Sequence, residues 1–107
     1  MELIPQPLTA QAFAPFGDVI DMPRHAGRFY YDDALANLRP AAGASLSVAL
    51  KPPTPERPLT SREMERHEFS SQTFIPVDVG RWLIVVAPHA AAGGPDMAAA
   101  RAFIAGV

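Results

Sequence analysis

The stretch EMERHEFSSQTFIP, residues 63–76, decides how this sequence is read. It sets an acid, a base, a histidine and an amide among strand-forming apolar residues. On a strand, successive side chains point to opposite faces. Glu65, His67 and Phe69 then share one face, and Met64, Arg66 and Glu68 share the other. Ser70 and Ser71 suit a turn, although they lack the Asn-Gly signal of a tight two-residue hairpin. The predicted hairpin sets Gln72 opposite Phe69 and Phe74 opposite His67. One face then carries a carboxylate, an imidazole, a carboxamide and two rings.

A carboxylate and an imidazole two residues apart can hold a small polar ligand between them. Histidine as a residue type titrates near neutrality, so it moves protons where a carboxylate usually does not. The same pair binds a divalent metal through N and O atoms, with Gln72 near it. The bland alternative is a solvated Glu-x-His neighbour pair on a surface strand, a spacing that recurs by chance. Arg66 and Glu68 read as a same-face salt bridge more readily than as a substrate clamp. Lys51 reads as a strand-end solvent charge. His25 and His89 fall in expected loops, and Phe69, Phe74 and Trp82 are core residues first. Gly93-Gly94 lacks the strand-turn-helix setting of a phosphate cradle.

Outward from this stretch, residues 45–51 (SLSVALK) alternate: Leu46, Val48 and Leu50 face one way, Ser45, Ser47, Ala49 and Lys51 the other. That predicts a half-buried strand. The segment PPTPERPL, 52–59, is a stiff connector excluded from a central ladder. The run from Trp82 to Ala87 suits a strand buried on both faces. A short helix leading into a strand at RAFIA is expected near the end. Near the start, Thr9 caps a short helix that Pro15 stops, and DVID, 18–21, reads as a short strand. RFYY, 28–31, reads as a strand, and the stretch DDALANL as one helical turn capped by Asp32 or Asp33.

Twelve prolines and seven glycines in 107 residues favour short strands and loops over a helical bundle. The chain is long enough for one domain, spanning 1–107, with a thin core. Its 49% hydrophobic and 19% charged content is that of a globular protein. A net charge of -2 without a basic stripe removes the electrostatic footprint of a nucleic-acid binder. No apolar run approaches bilayer-spanning length. Glu2 stands where a signal peptide carries positive charge, so a cytoplasmic protein is expected. With no cysteine, disulfides, thiolate nucleophiles and Cys-ligated zinc are all removed. The class expected is all-β or mainly β, with sandwich and small barrel both open.

Four segments carry a family resemblance: LTAQAFAPFGDVI, ERHEFSSQTFIPV, LIVVAP and RAFIAGV. In order and spacing the chain resembles the ureidoglycolate lyases, also called ureidoglycolate hydrolases. The Glu-Arg-His followed by Gln-x-Phe-Ile-Pro is the most specific part, and residues 25–58 depart most. The resemblance implies a cupin-like fold (a jelly-roll or β-barrel), with a short N-terminal helix, in a homodimer. It implies a carbon–nitrogen lyase that cleaves (S)-ureidoglycolate to glyoxylate and urea in allantoin and purine nitrogen catabolism. It also implies a divalent metal, nickel in particular. Where cupins place a His-x-His and a Glu as metal ligands, this chain has Glu65, His67 and Gln72, the last a poor ligand. The family's Arg-Ala-Gln-Pro strand end is replaced by ALKPP, which raises Lys51 for the arginine's place. Family members continue past RAFIAG to a Trp-His-His-Pro motif. A chain that stops at Val107 is therefore expected to be a C-terminally shortened cupin, without its closing strands and downstream histidines.

The implied reaction sets roles. His67 or Glu65 transfers the proton, directly or with a metal's help. Gln72 orients the ureido group. Arg66 or Lys51 holds the carboxylate, although alternation puts Arg66 on the opposite face. Two other readings stand beside this one: a non-catalytic module that binds a small carboxylate such as glyoxylate, and a structural fragment that oligomerises through an open sheet.

Overall fold

The computed structural model describes residues 2–53, 59–60 and 63–106. Its centre is an antiparallel pair. Strand β4, Arg81–Val86, lies against β5, Arg101–Gly106, in the register Leu83↔Ile104 and Val85↔Ala102. The run RWLIVV is rich in aromatic and β-branched residues, which suit a pleated surface. The predicted strand at RAFIA is present, led in by a 3-10 turn at Met97–Ala99. The connection between β4 and β5 turns on Gly93 and Gly94, whose φ angles of 100° and 72° favour glycine. Within it, the Ala90 N–H donates to the Gly94 carbonyl oxygen at 2.8 Å.

Strand β2, Gln6–Pro7, joins the outer side of β5 in parallel, giving the order β2-β5-β4 in a mixed sheet that does not close. Strand β1, Glu2–Leu3, pairs separately with β3, Leu59–Thr60. Helix α1, Ala10–Phe13, follows β2. Thr9 caps it as expected: the Ala12 N–H donates to Thr9 Oγ1 at 3.1 Å. The helix ends at Ala14, before Pro15.

The central pair is covered on both faces. On one, Phe103 is buried under Phe13 and Phe16, with ring centroids 5.3 and 6.1 Å away. On the other, Leu3, Ala100 and Ala102 form a small cluster with Leu83, Val85 and Met97 packed against it. Strand β4 is only half-buried, not buried on both faces as its apolar run suggests, because it lies at the edge of the sheet. The molecule is thus mainly β with short helical turns, as expected, and its core is thin.

Several expected elements are absent among the described residues. Residues 45–51 form no strand, and Leu46, Val48 and Leu50 are 97%, 86% and 99% exposed. DVID and RFYY are likewise irregular. Alternation lets a segment enter a sheet; a ladder also needs a partner edge, and none is supplied here. Asp32 and Asp33 lie inside a 3-10 turn, Asp32–Ala34, rather than capping a helix. Residues 63–76 form no hairpin. Ser70 bridges to Asn37 in place of a strand turn, consistent with the missing Asn-Gly. Of the proline connector, residues 54–58 lie outside the described residues, and its end enters β3.

Gly106, at φ 89°, closes the register beside Gly80, and an added Cβ there would run into the Gly80 carbonyl. Gly106→Ala is expected to destabilise the fold by about 1 kcal/mol or more, read as a lower denaturation midpoint in urea. Thr9→Ala should cost about 1 kcal/mol through the lost cap and lower the melting temperature by roughly 4–8 °C. Calorimetry of both variants checks these values.

Candidate active site

Residues 63–72 run without regular structure, and a short cross-link holds them to 36–39. The Leu38 N–H donates to the Phe69 carbonyl oxygen at 2.6 Å, and the Ser71 N–H donates to that of Ala36 at 2.9 Å. The Ser71 hydroxyl oxygen also accepts from the Ala36 N–H at 3.1 Å. The Arg39 guanidinium sits 3.6 Å from the centre of the Phe69 ring, and the Arg39 backbone N–H donates to Asn37 Oδ1 at 3.0 Å. Asn37 and Arg39 were not among the residues singled out from the sequence. They lie some thirty positions from Phe69, and no spacing pattern joins the two segments.

The predicted pairings two residues apart are present. His67 Nε2 lies 3.4 Å from Glu65 Oε2, and Arg66 Nη1 lies 3.0 Å from Glu68 Oε1. Locally extended backbone is enough to put 65 beside 67 and 66 beside 68, even without a ladder. Arg66 is thereby engaged as the salt bridge rather than free as a clamp.

The wider constellation does not assemble as expected. Without a hairpin, Gln72 is not carried back across from Phe69, and it makes no hydrogen bond to Glu65 or His67 among the described residues. The His67 and Glu65 side chains are 44% and 82% exposed. Phe69 and Phe74, expected in the core, are 40% and 56% exposed, so they do not wall a concavity. Lys51 is exposed in an irregular segment. His25 and His89 fall in loops as expected.

A metal is tested by the donors at hand. Glu65 and His67 supply one oxygen and one nitrogen, and no group of three or more His, Asp or Glu side chains converges among the described residues. Two side-chain donors fall short of the three or more protein ligands of a stable divalent site, and a carboxamide adds little. The described residues alone therefore do not fit the implied nickel site. What the arrangement can do is proton chemistry: an imidazole open to a ligand on one side, with a carboxylate beside it to orient the ring.

Among the described residues, no helix is long and apolar enough to cross a membrane. No solved structure matches the chain significantly. Sequence relatives do. The chain is 41% identical over 99 residues to a ureidoglycolate lyase of Mesorhizobium japonicum, an alignment covering 84% of this chain and 60% of the relative. It is 38% identical over 112 residues to the ureidoglycolate lyase of Pseudomonas syringae pv. syringae, covering 96% and 64%. With the enzyme of that name from Pseudomonas entomophila it shares 40% over 95 residues, covering 80% and 56%. The chain thus spans about three fifths of the length of the curated relatives it matches. The model of the ureidoglycolate lyase family matches residues 1–107, and the chain belongs to that family.

Proposed function

We propose that this chain carries proton-transfer groups for cleaving (S)-ureidoglycolate to glyoxylate and urea. The observation that carries the reading is the Glu65–His67 pair, 3.4 Å apart within a chain that the family model matches throughout. Ureidoglycolate is a hemiaminal, with hydroxyl, carboxylate and ureido nitrogen on one carbon. The neutral imidazole of His67 takes the hydroxyl proton. The carbonyl forms as the carbon–nitrogen bond breaks, and the imidazolium returns the proton to the departing nitrogen. The proton balance closes with no co-reactant. Glu65, 3.4 Å from Nε2, orients the ring through both transfers. Gln72 orients the ureido group. Lys51 takes the substrate carboxylate, since Arg66 is engaged by Glu68.

The same reading includes a cupin-like barrel, a homodimer, a cytoplasmic location and a place in allantoin and purine nitrogen breakdown. Family membership supports these features.

A second reading rests on the exposure of the pair. A general base this open to water gains little from its surroundings, since polar interactions strengthen in a water-excluded site. A module that binds glyoxylate or a similar small carboxylate without turning it over fits such a surface. Calorimetry with glyoxylate, paired with an assay of urea release, separates the two. Heat of binding without urea from ureidoglycolate selects the binding module.

His67→Ala is expected to lower the rate of urea release by about 100-fold or more while leaving the circular dichroism spectrum unchanged. Unaltered turnover in the folded variant removes His67 from the mechanism.

A further inference from the structure

The cross-link between 36–39 and 69–71 brings a guanidinium to the segment that carries the proton-transfer pair. Arg39 stacks on Phe69, 3.6 Å from the ring centre, and Phe69 follows His67 by two residues. An extended chain spans at most about 3.6 Å per residue, so the backbone at 67 lies within roughly 7 Å of that at 69. The backbone on both sides of the stack is fixed. The Leu38 N–H donates to the Phe69 carbonyl oxygen at 2.6 Å, and the Arg39 backbone N–H donates to Asn37 Oδ1 at 3.0 Å. Asn37 itself bridges to Ser70.

A guanidinium stacked on a ring spends its face on the π cloud and keeps its N–H donors in the plane, where they meet a carboxylate in pairs. Arg39 is exposed, so a dissolved anion reaches those donors. Ureidoglycolate is an anion and the chain's own formal net charge is -2, so a local cation is needed to hold the substrate. Arg66 lies 3.0 Å from Glu68 and is engaged there. Lys51 is a compact point charge on an irregular segment. Of the three cations, Arg39 is the one that is both held in place and tied by backbone hydrogen bonds to the segment of His67.

We propose that Arg39 is a substrate-binding residue: its guanidinium takes both oxygens of the substrate carboxylate side by side and so sets which hydroxyl faces His67. Lys51 adds charge, and the Phe69 ring is the platform that fixes the plane of the fork. The proposal deepens the lyase reading and takes the identity of its ligand from it. The carboxylate is the same group in ureidoglycolate and in glyoxylate, and it takes no part in bond making or breaking. Arg39 therefore holds ground state and transition state alike, which acts on KM and leaves kcat little changed. It also selects hemiaminals that bear a carboxylate.

Arg39→Met removes the charge and the fork, while the hydrogen bonds of the cross-link use backbone groups and the side chains of Asn37 and Ser71. Calorimetry with glyoxylate is expected to show binding by the unmodified chain and an affinity about 10- to 100-fold weaker in Arg39→Met. Arg39→Lys, which keeps the charge but not the planar fork, is expected to recover part of that loss, and it decides the question if Arg39→Met does not fold. In the urea assay, Arg39→Met should raise KM for ureidoglycolate by a similar factor with kcat little changed. Its preference for ureidoglycolate over N-(hydroxymethyl)urea, a hemiaminal without a carboxylate, should fall by the same factor. Equal glyoxylate affinity in the unmodified chain and a folded Arg39→Met overturns the proposal, as does the absence of glyoxylate binding by the unmodified chain. Full recovery in Arg39→Lys rejects the fork. A lower melting temperature with unchanged affinity makes the stack a structural contact and also overturns the proposal. Failure of the lyase reading looks different: Arg39-dependent glyoxylate binding without urea release removes the chemistry and keeps the carboxylate site.

Discussion

The described core hangs on the antiparallel pairing of β4 with β5. Strand β2 hydrogen-bonds to the outer side of β5, and the Leu8 N–H donates to the Ile104 carbonyl oxygen at 2.9 Å. The rings of α1 and its C-terminal turn close over Phe103, the one large side chain fully buried among the described residues. Leu3 reaches the opposite face through Ala100 and Ala102. Loss of the ring at 103 would remove the contact surface for both Phe13 and Phe16 at once, so the stability of the helix and that of the sheet are one quantity.

The candidate site is fastened elsewhere. Its anchor is the short cross-link between 36–39 and 69–71, with the Arg39–Phe69 contact beside it. Neither segment joins the β4–β5 ladder. Local opening of the site therefore costs less than opening of the core, which is common for segments that bind ligands. The Glu65–His67 pair adds little to folding at its exposure, because solvent screens the contact.

Legibility from sequence followed the range of the interactions. Where neighbours in the chain decide the outcome, the reading held. Thr9 caps α1, Pro15 bounds it, and residues 65 with 67 and 66 with 68 meet as alternation requires. The β4 and β5 strands were also legible, because their runs are dense in β-formers. Where a distant edge decides, the reading failed. The pattern of 45–51 is a better strand signal than that of many real strands, yet no described edge receives it. The serine turn failed for a different reason: Ser71 spends its hydroxyl and amide on Ala36, a partner that no local pattern announces. The ion-pair geometry was thus legible, and the shelter around it was not.

The parallel register of Gln6 with Phe103 has a consequence for biosynthesis. Nearly the whole chain separates the two residues, and closing so long a loop is entropically costly and slow. On the ribosome, β2 and α1 emerge first and wait for β5, the last strand described. During that interval the rings of Phe13 and Phe16 have no Phe103 to cover them, and the apolar stripe of 45–51 is already outside the exit tunnel. Nascent copies on one message therefore display both surfaces to one another before either has a core, a window in which chaperone capture and misassembly compete.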